Sequence, residues 1–158
     1  MRPFIISAVF AMIFSGCASS PTPATLGNFA ERDTPAGDKL MADDAAKQLA
    51  ALYPPASTRI NLQLATPDAF GASLVAALRV KGYALGEFQP VPAPDARGGA
   101  MTSVAGQPGD IALAYVVDQP IDARTYRVTV LLNSQSLSRL YQMKDGALAP
   151  AGYWVRKE

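Results

Sequence analysis

TRINLQLATPDAFGASLVAALRVKGYALGEF, residues 58–88, carries the clearest secondary-structure pattern of the chain. Residues 58–64 alternate apolar and polar side chains, which is the pattern of a half-buried strand. Thr66, Pro67 and Asp68 then supply a hydroxyl N-cap, a proline at the first helical position and an acid in the first turn. A helix is therefore predicted to follow the strand.

The end of this unit is marked as well as its start. Gly82 is placed to end the helix in the left-handed conformation, and residues 83–88 form the next strand. Strand, helix, strand in this order predicts two parallel strands joined by a crossover. Upstream, a second helix is predicted from Asp38 to Tyr53, with Asp38 as its N-cap and Pro54 ending it.

The rest of the chain supplies antiparallel strands. Alternating apolar side chains predict four of them, at 111–117, 126–132, 137–143 and 148–155. The last two face each other across Asp145 and Gly146, a pair typical of a tight type I′ turn, and Pro150 and Gly152 suit a sheet edge or bulge. The fold class predicted is α+β, with two helices on one face of a mixed, mainly antiparallel sheet of five or six strands.

The amino terminus has the parts of a lipoprotein signal peptide. A charged start precedes an apolar run at 4–14, too short to cross a hydrocarbon core that takes about 20 helical residues. Ser15 and Gly16 are small, so the bond before Cys17 has room in a signal peptidase. We therefore expect Cys17, the single cysteine of the chain, to carry diacylglycerol and an N-acyl chain such as palmitate.

The lipobox departs from the usual pattern at one position, because Phe14 stands where a Leu is common. A buried core cysteine and an ordinary signal peptide cut near Ala18 are the alternatives. Lipidation divides the chain into a signal peptide at 1–16, a lipidated cysteine with a flexible tether at 17–37, and a single periplasmic domain at 38–158. Because Ala18 rather than Asp follows the cysteine, the periplasmic face of the outer membrane is the expected location.

Composition excludes several kinds of chemistry. The chain has no His, which removes Ser-His-Asp and Cys-His pairs and imidazole metal ligands. Its formal net charge of +1 gives no excess of positive charge to attract nucleic acid, so no direct nucleic-acid binding is expected. We expect no enzyme activity, no metal and no cofactor other than the acyl chains. A Pro/Gly-rich loop at 90–109 is either disordered or a contact surface.

Two adjacent side-chain pairs are candidate sites. Asp43 and Asp44 are adjacent in a helix, so they splay by about 100° and favour a solvated face over a paired-acid site. Tyr153 and Trp154 are possible partner contacts, since aromatic residues are enriched at binding hot spots. An aromatic pair that closes the core is the alternative.

Several segments resemble the conjugal-transfer lipoprotein family TrbH. They follow the lipobox and the Pro/Ala-rich tether, and they are MADDAAKQLAALYPPA at 41–56, TPDAFG at 66–71, LRVKGYAL at 78–85 and LAPAGYWVR at 148–156. The resemblance implies a structural component of the mating-pair-formation apparatus, a type IV secretion system for plasmid transfer. It implies outer-membrane ring subunits of the secretion channel as partners, and it maps the family's acylated cysteine to Cys17.

Two other functions stay open on the sequence. The protein is alternatively a freestanding lipoprotein that binds peptidoglycan or a small ligand, which a concave pocket with convergent polar groups would favour. The second alternative function is that of an envelope enzyme that uses Ser and Lys or paired acids, although no S-x-x-K motif occurs.

Overall fold

The computed structural model describes residues 26–31, 34–88 and 110–158. Its helices and strands follow in the order β1 (Gly27–Asn28), α1 (Pro35–Leu52), β2 (Arg59–Leu62), α2 (Ala69–Val80), β3 (Ala84–Gly86), β4 (Ile111–Asp118), β5 (Thr125–Leu132), β6 (Gln135–Lys144) and β7 (Ala147–Lys157). A short 3-10 turn, Pro55–Ser57, joins α1 to β2. The predicted fold class is confirmed, since two helices pack with one mixed open sheet.

The sheet has a parallel half and an antiparallel half. Its strand order is β3-β2-β4-β5-β6-β7, with β1 paired to β4. β2 runs parallel to both β3 and β4, whereas β4, β5, β6 and β7 pair antiparallel in turn. The crossover predicted for residues 58–88 is thus confirmed as two neighbouring parallel strands.

The carboxyl end of α2 explains why β3 begins one residue later than the strand predicted at 83–88. Gly82 has φ +90°, and its N–H donates to Arg79 O at 2.9 Å. The N–H of Tyr83 donates to Leu78 O at 3.1 Å. This pair of bonds is a Schellman motif, so Tyr83 closes the helix instead of extending the sheet.

The seventh strand comes from residues predicted to be tether. Gly27 and Asn28 pair in parallel with Val116 and Val117, and the Phe29 N–H donates to Val117 O at 2.7 Å. β2 pairs with β4 only as far as Leu62, so the rest of that edge of β4 would hold unpaired backbone groups without β1. The predicted tether at 17–37 is therefore wrong for residues 26–31, and also for residues 35–37, which begin α1. Its residues 17–25 and 32–33 lie outside the described residues.

The two predicted helix starts each shift by a few residues. α1 begins at Pro35, so Asp38 lies in its first turn and is buried there instead of capping the helix. Proline is suited to this first position, because its φ is already helical. α2 is capped by Asp68 and not by Thr66, since the Asp68 Oδ1 accepts the Gly71 N–H at 2.9 Å.

One hydrophobic core fills the space between the helices and one face of the sheet. Its largest fully buried side chains come from both helices and from β2, β4, β5 and β6: Tyr115, Tyr126, Tyr141, Phe70, Met41, Leu49, Ile60, Leu74, Leu78, Leu113, Val117 and Val128. The opposite face of the sheet, which we call the helix-free face, is not covered by a helix of the described residues. Alternation along the strands places Asn61, Ala112 and Ala149 on that face.

The terminal hairpin closes as the sequence predicts. Asp145 and Gly146 have φ +52° and φ +80°, the two positive values that a type I′ turn needs. β7 is the last strand of the sheet, and its register with β6 shifts between Ser138 and Leu140. Gly152, opposite this shift, has φ +95°. The bulge and the edge position expected from Pro150 and Gly152 are both present.

Candidate functional site

The predicted contact pair Tyr153 and Trp154 is divided between the two faces of β7. Successive side chains of a strand point to opposite faces, and here that alternation separates a buried role from an exposed one. Trp154 packs against the hydrophobic core, whereas Tyr153 is 92% exposed. The structure thus places only one of the two aromatic side chains where a partner can reach it.

Trp154 belongs to a polar group of side chains that fastens β7 and β6 to α1. The Asp44 Oδ2 accepts three hydrogen bonds, from Arg139 Nη1 at 2.8 Å, Tyr141 Oη at 2.7 Å and Trp154 Nε1 at 3.2 Å. We call these four residues the Asp44 cluster. Three donors on one oxygen satisfy a carboxylate that has left bulk water.

Arg139 gives the Asp44 cluster its charge balance and its rigidity. The side chains of Arg139 and Asp44 are only 19% and 22% exposed, so their ion pair is partly shielded from solvent. Arg139 Nε also donates to Gly152 O at 3.0 Å, which holds the bulge of β7. The guanidinium carbon lies 5.9 Å from the centre of the Tyr141 ring, at the outer limit of a cation-π contact.

Burial and the neighbouring carboxylate act together on Tyr141. Burial of its ring raises the pKa of Tyr141 above the ordinary value, and the hydrogen bond to Asp44 raises it further. The hydroxyl therefore stays protonated and continues to donate throughout the neutral range. In the Asp44 cluster this phenol acts as a structural donor.

The expectation of a solvated acid pair is right for one aspartate and wrong for the other. Asp43 is exposed and pairs with Lys39 at 2.6 Å along the helix, which is a surface ion pair. Asp44 instead faces the sheet. Helical geometry places Asp44 about one turn from buried Met41, at the border of the apolar stripe of α1. This position is the local feature of the sequence that indicates an inward-facing Asp44. The residues that donate to Asp44 lie 95 to 110 positions away in the sequence, so no local sequence pattern predicts them.

Beside the Asp44 cluster, β7 presents an apolar surface to solvent. Tyr153 and Val155, which are 92% and 62% exposed, lie on the same side of the strand and form what we call the β7 patch. The Asp44 cluster fixes the strand from behind through Trp154. A large aromatic side chain on a rigid backbone loses little conformational entropy on binding, so the patch is suited to contact a protein partner.

The remaining predicted site residues lie elsewhere in the chain. The structure does not describe Phe14, Ser15, Gly16, Cys17 or the loop at 90–109. Among residues 26–31, 34–88 and 110–158, no group of His, Cys, Asp and Glu is arranged to hold a metal ion. No helix in this part of the chain is long and apolar enough to cross a membrane.

An open groove between α1 and α2 has a volume of about 360 Å³. Ala76, Ala77 and Val80 form its apolar lining, and its polar lining consists of Lys39, Asp43, Ser73 and Lys81. Lys39 and Asp43 already bond to each other along α1, on one wall of the groove. Two of its four polar side chains are thus engaged with each other, which does not favour the groove as a specific small-ligand site.

Together these features define a small α+β domain with a fastened, aromatic-bearing strand at one edge of its sheet. The family model described as conjugal transfer protein TrbH matches residues 23–158, and the chain belongs to the TrbH family. It is accordingly a component of conjugal transfer. Comparison with curated proteins and with solved structures found no match.

Proposed function

We propose that the protein is an outer-membrane lipoprotein that stabilises the envelope-spanning assembly of a conjugative type IV secretion apparatus. It is anchored through acylated Cys17 and contacts the secretion-channel ring through the β7 patch. The observation that carries the contact is the exposure of Tyr153, at 92%, on a strand that the Asp44 cluster holds in place. Family membership supports the role in transfer.

The lipid anchor has a geometric consequence. Residues 18–25 are all that separates Cys17 from the first described residue, Leu26. Even fully extended, that length of chain spans at most about 30 Å. The domain is therefore proposed to act close to the membrane surface, which raises the effective concentration of any membrane-bound partner.

The protein is proposed to work by binding and not by catalysis. The sequence has no His, and its one Cys is the proposed acylation site. Half-buried Asp44 is bonded to three donors, and Asp68 is bonded to a backbone N–H and a phenol. These carboxylates are engaged in holding the fold together, which supports a structural role.

The contact is tested by conjugation assays with matched surface variants in cells that carry the native operon. Tyr153→Ser and Val155→Ser remove the β7 patch, and Val80→Ser removes a valine that is 88% exposed on α2. We expect both β7 variants to lower the frequency of plasmid transfer and the recovery of ring subunits after crosslinking. Val80→Ser should leave both unchanged. Equal effects of the three variants would reject the β7 patch as the contact.

The anchor is tested separately. Replacing Cys17 with Ser should abolish fatty-acid labelling and release the protein from the outer-membrane fraction. Unchanged fractionation without labelling would disprove lipid anchoring but would leave the proposed β7 contact standing, because the two variants act on different parts of the chain.

A further inference from the structure

The outer side of β7 is an open edge of the sheet. β7 is 11 residues long, and among the described residues no strand pairs with its outer side. Unpaired backbone groups along such an edge are a template for another strand. We propose that a second copy of this chain pairs there, β7 against β7 and antiparallel, about a two-fold axis at Val155. The pairing uses the edge of the strand and not the exposed side chains of the β7 patch, so it does not depend on the proposed function.

The second half of β7 is the part of the edge suited to accept a strand. In the first half, Pro150 has no N–H to offer, and the bulge beside Gly152 interrupts regular pairing. The C=O of Gly152 is already bonded to Arg139 Nε at 3.0 Å. Residues 153–157 follow the bulge, and their sequence, YWVRK, begins with residue types that favour strands.

The ladder between β6 and β7 decides which backbone groups face outward. Lys144 and Ala147 flank a two-residue hairpin loop, so they form a hydrogen-bonded pair. Pairs of this kind recur at every second residue of β6, which pairs with β5 without a shift in register. Val155 lies opposite Ser138, an even number of residues from Lys144, and therefore bonds to β6. The N–H and C=O of the next residue, Arg156, consequently point outward.

Alternation makes Trp154 and Arg156 the outward-facing residues, one on each side of Val155. In an antiparallel pair, outward-facing residues must lie opposite one another, so the two-fold axis falls at one of these three positions. An axis at Arg156 would set two arginines directly opposite, where like charges are destabilising. An axis at Trp154 would set Arg156 opposite Gly152 of the second copy, whose C=O is already taken. An axis at Val155 avoids both conflicts.

The register about Val155 also makes the side chains complementary. Arg156 of each copy lies opposite Trp154 of the other, which brings a guanidinium beside an indole. Lys157 lies opposite Tyr153, and the two Val155 side chains meet at the axis. Val155 lies on the helix-free face, because Ser138 opposite it has its buried neighbour Leu137 on the core face. The two β7 patches therefore join into one apolar strip on that face.

Disulfide trapping in the full chain tests this pairing. Cys17 is replaced by Ser in every variant, so the introduced thiol is the only one. Val155→Cys sets two thiols at the axis, where opposed Cβ atoms lie about 5 Å apart. Val80→Cys controls for random collision, since this valine is 88% exposed on α2. Tyr153→Cys tests the register, because its two copies would lie about 13 Å apart along the strands.

We expect Val155→Cys to form a disulfide-linked dimer at least about tenfold faster than Val80→Cys in the same mild oxidant, because pairing raises the effective concentration of the thiols. Tyr153→Cys should link as slowly as Val80→Cys. Adding Arg156→Pro to Val155→Cys should also return the rate to that of Val80→Cys. This proline removes an N–H that faces outward and leaves the bonds to β6 in place, and circular dichroism checks that the fold is kept.

Equal rates for Val155→Cys and Val80→Cys would overturn the proposal. Linking of Tyr153→Cys that is as fast as that of Val155→Cys would overturn it too, since the copies would then pair in another register or in none. The same variants are also oxidised in cells that carry the native operon. If Val155→Cys links there to a different protein and not to its own copy, the edge accepts a foreign strand and the proposed pairing is wrong.

Discussion

Two buried tyrosine hydroxyls, Tyr115 and Tyr141, each donate to an aspartate, one in each half of the sheet. In the parallel half, the Asp68 Oδ2 accepts Tyr115 Oη at 2.5 Å and the Oδ1 accepts the Gly71 N–H. In the antiparallel half, a single oxygen of Asp44 accepts Tyr141 Oη together with an arginine and an indole. The same pair of groups is thus stabilised in two different surroundings.

The difference lies in what compensates the negative charge. Asp68 is the N-cap of α2, so the partial positive charge of a helix amino terminus stabilises its carboxylate. Asp44 lies in the middle of α1, where no free N–H groups are available, and the guanidinium of Arg139 takes their place. The first arrangement fastens a helix to the strand beneath it, and the second fastens a helix to the terminal hairpin.

The largest effect is expected at the parallel half, from Gly71→Ala. A Cβ there would lie 2.2 Å from Tyr115 Oη and 2.8 Å from the Thr66 Cβ, so the helix or the ring must move. We expect the free energy of unfolding to fall by about 3 kcal/mol, because overpacking adds to a lost charged hydrogen bond. Urea denaturation measures it.

Tyr115→Phe supplies the control for that variant. With the hydroxyl already removed, Gly71→Ala should cost at least about 1 kcal/mol less than it does alone. Purely additive losses would mean that Gly71 and Tyr115 are not coupled through close contact.

Asp44→Asn should lower the free energy of unfolding by about 2 kcal/mol. The guanidinium of Arg139, which is partly shielded from solvent, would then lack a negative partner. Asp43→Asn is the matched variant one residue away, where an exposed ion pair is worth about 0.5 kcal/mol or less. Chemical denaturation of both variants gives the two values. Equal losses would show that the Asp44 cluster adds nothing beyond a surface ion pair.

Alkaline pH should lower the stability that the buried tyrosines contribute in both halves of the sheet. Burial, reinforced by the aspartate partner, raises the pKa of Tyr115 and of Tyr141 in the folded protein. The unfolded chain releases these protons near pH 10 and the folded chain retains them, so stability is full below that pH and falls above it.

Each of the two tyrosines should contribute a slope of about 1.4 kcal/mol per pH unit above pH 10. Tyr115→Phe and Tyr141→Phe should each reduce the slope of the wild-type protein by that amount in denaturation curves at stepped pH. Removal of the slope by only one of them would mean that the two hydroxyls are not equivalently shielded.

The smallest effect is expected from Arg139→Lys, which keeps the charge beside Asp44 but loses the Nε donor to Gly152 O. A cost of about 1 kcal/mol is expected, with faster hydrogen exchange at the bulge of β7. If exchange at β7 is unaltered, then Arg139 does not hold the bulge and the rigidity of the β7 patch has another source.

The parallel half was largely predictable because its signals are local. The alternation at 58–64, the helix stop at Gly82 and the parallel order of β2 and β3 all follow from neighbours in sequence. The errors were small and had local causes, since Asp68 outcompetes Thr66 as the N-cap. The hairpin at Asp145 and Gly146 followed in the same way, from two residues that accept positive φ.

Local sequence patterns therefore predict both helices and six of the seven strands in their order, and the resemblance to a family predicts the link to conjugal transfer. Contacts between remote segments put Gly27 and Asn28 in the sheet and surround half-buried Asp44 with three donors. They also turn Trp154 inward while Tyr153 faces solvent. The physical reason is distance along the chain. Caps and turns depend on bonds within a few residues, whereas an edge left open on β4 or a donor on β7 exists only once remote segments have packed together.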